Sequence, residues 1–223
     1  MAKPADSVFR RAFPFERLPG GRLSFPSAVR NAPFILEVLQ RVLPREGTVL
    51  EIASGSGEHA TFFAPRLKPR VWLASECEPE RLASIRAWRE ARPSPNLLPP
   101  IFLDAGTPRW PVEDAPPGPP ITAVVSVNLI HVAPWRIGLN LLKRAGQILR
   151  PGGILYFYGA FKVGGRHTAE SNEAFDRMLR GENREWGVRD LDEVTKAASG
   201  AGLRQRETVP MPANNLSVVF ERV

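Results

Sequence analysis

Apolar positions recur along the chain with two different periods, one helical and one of extended strands. Residues 33–43, "PFILEVLQRVL", set Ile35, Val38, Leu39 and Val42 at helical spacing, with Pro33 suited to a first turn. "TVLEIA" (48–53) is a short apolar strand between Gly47 and a glycine turn, and "EHATFFAPRL" after it reads as helix. "VWLAS" (71–75) predicts a second buried strand, followed by a helix over 79–91 that Pro79 opens. "PIFLD" (100–104) ends a third strand, and "ITAVVSVN" (121–128) is the fourth and most β-branched. Residues 135–149 carry Ile137, Leu141, Ala145 and Ile148 on one side of a helix that "RPGG" stops. "ILYFYGAF" (154–161) is the fifth strand. Asp190 and Glu193 have capping-box spacing for a helix over 191–201, and "RQRETVP" and "NLSVVFERV" close the chain as two strands.

Short apolar strands alternating with amphipathic helices predict an α/β fold, a parallel sheet covered on both faces and joined by right-handed crossovers. The last two strands have no helix between them, which predicts an antiparallel hairpin at one sheet edge. The expected architecture is a Rossmann-like, doubly wound, mostly parallel sheet with a C-terminal antiparallel hairpin. Ligands bind such sheets outside the carboxyl ends of the strands, near the switch in strand order. The positions to examine are therefore 51–59, 76–78, 104–106, 128–131 and 158–167.

Composition narrows this picture only a little. A chain of 223 residues with 43% hydrophobic and 24% charged residues suits one globular domain, expected over 25–223. Residues 1–24 have no continuous apolar core, so they read as a poorly ordered arm rather than a secretory signal. No apolar run reaches the ~18–20 residues that span a bilayer. The single cysteine, Cys77, excludes an internal disulfide, gives no metal cluster and makes the cytoplasm the default compartment. The net charge of +7 rests on 25 arginines, but these are scattered over helical faces without interleaved aromatics. They read as a solvated surface, and a nucleic-acid partner has no other support.

The chemistry concentrates at "VLEIASGSGEH" (49–59). Gly55 and Gly57 let the backbone turn tightly and approach a ligand, and the helix after them presents unpaired amides. Gly55-x-Gly57 alone also fits a nicotinamide dinucleotide. Glu76 lies 19 residues beyond Gly57, where a carboxylate accepts both hydroxyl hydrogens of a ribose; Glu78 is a nearby competitor. Three features separate the cofactors. Glu51 puts negative charge beside the turn, which disfavours a pyrophosphate and suits the ammonium and sulfonium of S-adenosylmethionine. Asp104, followed by Ala105, is placed to meet an adenine amino group. The chain also leaves no room for the separate substrate domain of a typical dehydrogenase.

At these residues the chain resembles a class I S-adenosylmethionine-dependent methyltransferase. "VLEIASGSGEHA" is similar to motif I, "ASECEPERLASI" to the acidic segment after the second strand, and "LRPGGILYFYGAF" to the approach to the fifth. More narrowly, residues from about Phe25 to Val223 resemble the methyltransferase-like 26 family. That likeness rests on "RNAPFILEVL", "NLIHVAPW", "YGAFKVGGRHTAESNEAFD", "EWGVRDL" and "MPANNLSVVF". There are departures: Ala53 stands where motif I often has glycine, Glu76 replaces a more usual aspartate, and Val29 stands where an acidic residue is expected. The resemblance implies the fold and S-adenosylmethionine as cofactor, held by the backbone around Ala53, Gly55 and Gly57 together with Glu51, Glu76 and Asp104. It also implies that Arg30, beside Asn31, clamps the cofactor's carboxylate.

Methyl transfer needs an aligned, desolvated acceptor and, where the acceptor carries a proton, a base. His131 follows the fourth strand and is the expected base; Asn128 would position the acceptor and meet the cofactor. Tyr158 and Lys162, with Arg166 and His167, form a second polar group near the same mouth. Gly164 and Gly165 read as turn glycines or a lid hinge, and His59 as a structural or cofactor contact. Asn214 and Asn215 either reach the cleft or make a tight hairpin turn. The expected activity is methylation of a small molecule or an exposed side chain. A non-catalytic cofactor-binding scaffold, an RNA methyltransferase and a nicotinamide oxidoreductase are the alternatives.

Overall fold

The computed structural model describes residues 14–223, in which strands and helices alternate behind an amino-terminal hairpin. β1 (Glu16–Leu18) and β2 (Arg22–Ser24) form that hairpin, in antiparallel register. Of the arm expected to be poorly ordered over 1–24, residues 16–24 thus form a paired hairpin. Leu23 is buried, its backbone N–H donates to Ser84 Oγ at 2.8 Å, and its carbonyl accepts from Trp88 Nε1 at 2.7 Å. Residues 1–13 of the expected arm lie outside the described residues.

Helix α1 (Pro26–Val42) follows directly, so Pro26 rather than Pro33 occupies the first turn and Pro33 lies inside the helix. Then come β3 (Thr48–Ile52), α2 (Glu58–Phe63), β4 (Val71–Glu76), α3 (Pro79–Ala91) and β5 (Ile101–Phe102). β6 (Ile121–Val127), α4 (Trp135–Ile148) and β7 (Ile154–Gly159) complete the parallel part. The fifth strand foreseen over 154–161 ends at Gly159, and the chain continues into a small side sheet. That sheet comprises β8 (Phe161–Val163), β9 (Arg166–His167) and β10 (Arg189–Asp190), with α5 (Glu170–Glu182) between its last two strands. Helix α6 (Leu191–Gly200) is capped by Asp190, whose carboxylate accepts from the Asp192 amide. β11 (Leu203–Met211) and β12 (Asn215–Arg222) end the chain.

The main sheet has seven strands in the order β11-β12-β7-β6-β3-β4-β5. β3 through β7 are mutually parallel, while β12 runs antiparallel to both β7 and β11. This is the doubly wound, mostly parallel sheet with a terminal antiparallel hairpin that the alternation of elements predicts.

Successive strand residues point to opposite faces, so the sheet carries two cores. Val49, Val125, Tyr156 and Val219 pack against Ile35 and Leu39 of α1, Phe63 of α2 and Ile85 of α3. Leu50, Val124, Leu155 and Phe157 pack against Leu141 and Ala145 of α4 and Val194 and Ala198 of α6. Each fully buried aliphatic side chain stabilises by about 1.5–3 kcal/mol relative to exposure. No described helix is long and apolar enough to cross a membrane.

From β3 the chain winds outward through β4 to β5 and then returns to place β6 on the other side of β3. The crevice opens at that reversal, at the carboxyl ends of β3 and β6.

Candidate active site

The turn after β3 is built from left-handed backbone: Ala53 (φ 57°), Gly55 (φ 61°) and Gly57 (φ 95°). Gly57 is there for packing. A Cβ on it would stand 2.8 Å from the Ile85 Cα, and it lines neither cavity at the crevice. Gly55 differs, because only the Phe25 ring would approach its Cβ, at 3.9 Å, and the open side faces a cavity.

Two carboxylates stand at adjacent strand ends. Glu76, at the end of β4, accepts the Gly55 amide on Oε2 at 3.0 Å and the Cys77 amide on Oε1 at 2.8 Å. With the Glu78 amide at 3.3 Å on Oε1, these bonds fix the carboxylate and leave a lone pair on Oε2 for a further donor, and Glu76 lines the cavity beside β5. Glu51, in β3, accepts from Trp72 Nε1 at 3.0 Å. Burial raises its pKa from 4.5 to about 7, against the opposing hydrogen bonds from Trp72 and Ser54. A cation placed beside it is correspondingly favoured.

The two cavities meet at Ala53, Arg81, Leu129 and Val132. The first, of about 110 Å³, is walled by Glu51, Gly55, His59, Asn31 and Asn128 under the ring of Phe25. The second, of about 230 Å³, is walled by Glu76, Glu78, Asp104, Ala105 and Ile137, with Trp186 at its rim. Asp104 holds its place by accepting the Gly106 amide on Oδ1 at 2.7 Å. Together the walls carry four carboxylates, Glu51, Glu76, Glu78 and Asp104, and one guanidinium, Arg81. The cofactor-site residues foreseen from sequence thus converge here, except Gly57 and Arg30. Phe25, Arg81, Val132 and Trp186 were not singled out, although the segments "ASECEPERLASI", "NLIHVAPW" and "EWGVRDL" contain the last three.

His59 Nε2 donates to Asn31 Oδ1 at 2.7 Å, and the ring stacks on Phe63. Burial lowers its pKa to about 4, so it is neutral above that range and serves to orient Asn31. Asn128 takes a left-handed conformation (φ 61°), with its amide donating to the Tyr158 carbonyl at 2.8 Å.

His131 does not occupy the place expected of a base. The short turn Leu129–His131 sends Leu129 into both cavities and folds the His131 ring beneath them, edge-on to Phe161. The ring is fully buried, lines none of the cavities described here, and has no hydrogen-bond partner on either nitrogen. Burial, reinforced by the Arg189 charge, lowers its pKa to about 3.

The second polar group also divides. Lys162 and His167 turn to Asp176, at 3.2 and 3.4 Å from its Oδ2, and line no cavity at the mouth. Arg180 and the Val188 amide complete the shell around that carboxylate. Gly164 and Gly165 are turn glycines joining β8 to β9, their amides held by Asp192 and Asp190.

Tyr158 and Arg30 lie together instead, on the far side of Asn128. Tyr158 lines a cavity of about 390 Å³ with Arg30, Asn31, Phe34 and Asn215. Burial raises its pKa, against hydrogen bonds from Asn31 and Asn215 and the charge of Arg30. Arg30 lines neither of the two acidic cavities but the chamber next to the first, and the two share Ser27, Asn31 and Asn128.

The fold is that of solved methyltransferase structures. The SAH-bound form of CalO1, a methyltransferase in calicheamicin biosynthesis, superposes with a TM-score of 0.65 at 16% identity, covering 88% of this chain and 54% of that one. The O-methyltransferase family 2 protein from Planctomyces limnophilus, in complex with apigenin, gives 0.70 at 19% identity, with 88% and 58% covered. This chain thus spans little more than half the length of those two. A chain of the Haloferax volcanii complex between the Trm112 methyltransferase activator and a putative methyltransferase gives 0.66 at 17%, with 87% and 91% covered. At the level of sequence, a family model matches residues 22–222, nearly the whole described chain. The chain belongs to the family described as "Protein of unknown function (DUF938)".

Proposed function

We propose that the protein is an S-adenosylmethionine-dependent methyltransferase acting on a small molecule. The observation that carries this reading is the pair of strand-end carboxylates, Glu51 and Glu76, in the walls of two adjoining cavities around a glycine turn. The donor set suits a cationic amino-acid nucleoside better than a pyrophosphate, which four carboxylates would repel. The resemblance of "NLIHVAPW" and "EWGVRDL" to the methyltransferase-like 26 family supports the same reading, and a lone Cys77 suits a reducing compartment such as the cytoplasm.

When bound, the donor supplies a methyl group on sulfonium sulfur: an acceptor lone pair takes the carbon, the C–S bonding pair returns to sulfur, and any acidic proton of the acceptor leaves. The residues of this chain hold and shape the site. Glu76, pinned by the Gly55, Cys77 and Glu78 amides, offers its remaining Oε2 lone pair to a ribose hydroxyl. Asp104 offers an acceptor to an exocyclic amine, and Glu51 faces an ammonium across the glycine turn. Phe25 walls the cavity over Gly55, and Asn128 stands where this cavity meets the chamber beyond.

A crystal grown with S-adenosylhomocysteine tests the reading. We expect the ribose on Glu76, the adenine beside Asp104 and the amino-acid end beside Glu51. Adenosine density elsewhere, or Glu76 turned to solvent, overturns it.

A further inference from the structure

Asn128 is a boundary between two kinds of cavity. On one side the walls are acidic. On the other lie two adjoining cavities of about 390 and 560 Å³ that share Ser27, Arg30, Asn128, Ala213 and Asn215. Among the described residues Arg30 is the one charged residue in the walls of either. Ser27 and Asn128 also line the first acidic cavity, and Asn31 lines it and the 390 Å³ chamber, so the chambers share walls at those residues.

The polar atoms of this outer chamber are specific. Asn172 and Asn214 commit their amide nitrogens to Thr168, Ser171 and the Asn214 carbonyl, and Asn215 donates to the carbonyls of Pro212 and Ala213. Their side-chain oxygens are left to accept. Arg30 and Tyr158 are donors, and Tyr158 keeps its proton because burial raises its pKa. Among the described residues no carboxylate pairs with Arg30. Phe34 and Phe175 supply apolar walls. Among the described residues no Asp, Glu, His or Lys lines the chamber, so these supply no side chain of ordinary basicity. An acceptor already ionised at neutral pH needs none.

We propose that this chamber is the methyl-acceptor subsite and that it takes a small organic acid, held as the carboxylate by Arg30. The assignment rests on the methyltransferase reading for the word acceptor, and on the chamber alone for the carboxylate. Opposite charge on the two sides of Asn128 sorts a cationic donor from an anionic acceptor, by attraction on one side and repulsion on the other.

The test is a titration followed by the NMR signals of the Asn128, Asn172, Asn214 and Asn215 side-chain amides. The probes are benzoate, phenylacetate and succinate, each against its neutral amide, at millimolar concentration with and without S-adenosylhomocysteine. We expect at least one carboxylate to shift these signals without displacing S-adenosylhomocysteine, and its amide to bind about tenfold more weakly or not at all. Arg30→Gln should remove that preference, and Arg30→Lys should restore part of it. Equal binding of acids and amides, no shift with any acid, or unchanged binding in Arg30→Gln overturns the proposal. So does loss of S-adenosylhomocysteine affinity in Arg30→Gln without loss of 5′-methylthioadenosine affinity, which would return Arg30 to the cofactor's carboxylate. Failure of the wild type to bind S-adenosylhomocysteine, with carboxylate binding intact, sinks the methyltransferase reading and leaves the pocket.

Discussion

The Glu76 carboxylate accepts the Gly55 amide at 3.0 Å, tying the end of β4 to the turn that follows β3. The same bond therefore shapes the turn and aims the carboxylate. Glu76→Gln replaces an acceptor by a group with N–H donors facing the Gly55 and Cys77 amides. The expected result is a loss of about ten- to a hundredfold in affinity for 5′-methylthioadenosine, measured by equilibrium dialysis. An unchanged affinity would remove Glu76 from the ribose site.

Glu51 makes both stability and donor binding depend on pH. Its folded pKa of about 7 lies above the unfolded value of 4.5, so the native state holds the extra proton between them. Its contribution is most favourable below the lower value and falls as pH rises through the upper one, by at most about 3 kcal/mol. Glu51→Gln should flatten that fall in urea-unfolding curves taken at several pH values. A ligand bearing an ammonium should bind the parent more tightly as pH rises through neutrality, and the variant equally at each pH. A pH-independent affinity in the parent contradicts this role.

Glu58 latches the amino-terminal hairpin over the glycine turn, accepting from Ser24 Oγ and the Phe25 amide at 2.7 Å each and from Ser56 Oγ at 2.9 Å. Glu58→Ala leaves a buried amide unpaired and releases Phe25 from its place above Gly55, at a cost of about 1–3 kcal/mol. Hydrogen exchange should accelerate at residues 22–25 before the main sheet opens. Exchange in step with the whole sheet would mean the hairpin has no separate latch.

His131 acts through packing. Its folded pKa of about 3 lies below the ordinary 6.5, so protonation drives unfolding and the stability it permits is lost as pH falls through that interval. His131→Leu should move the acid-unfolding midpoint to lower pH while leaving affinity for S-adenosylhomocysteine unchanged. An NMR titration finding His131 protonated near pH 6.5 would put the ring back in contact with solvent and restore it as a base.

What the sequence made legible follows from periodicity and charge. "TVLEIA" and "VWLAS" announce buried parallel strands because both faces are covered, and the carboxylates that interrupt such runs, Glu51 and Glu76, stand out for that reason. Other features leave no such trace. α1 begins at Pro26, yet its first turns bury only Ala32, so the apolar rhythm starts near Pro33. α5 buries Asn172 and Asp176 beside Leu179, and a polar inner face hides a helix from hydrophobic periodicity. The direction of His131 depends on a single short turn, which no spacing rule resolves. The chamber around Arg30 joins α1 to the final hairpin, parts of the chain nearly two hundred residues apart.

The central claim is that acidic strand ends at the crevice hold a cationic methyl donor. Isothermal titration of S-adenosylmethionine into the intact protein tests it most directly, with Glu51→Gln and Glu76→Gln alongside. Saturable binding at one site is expected, weakened in both variants, and weakened more for S-adenosylmethionine than for 5′-methylthioadenosine in Glu51→Gln. No heat at millimolar ligand, or variants that bind like the parent, would contradict it.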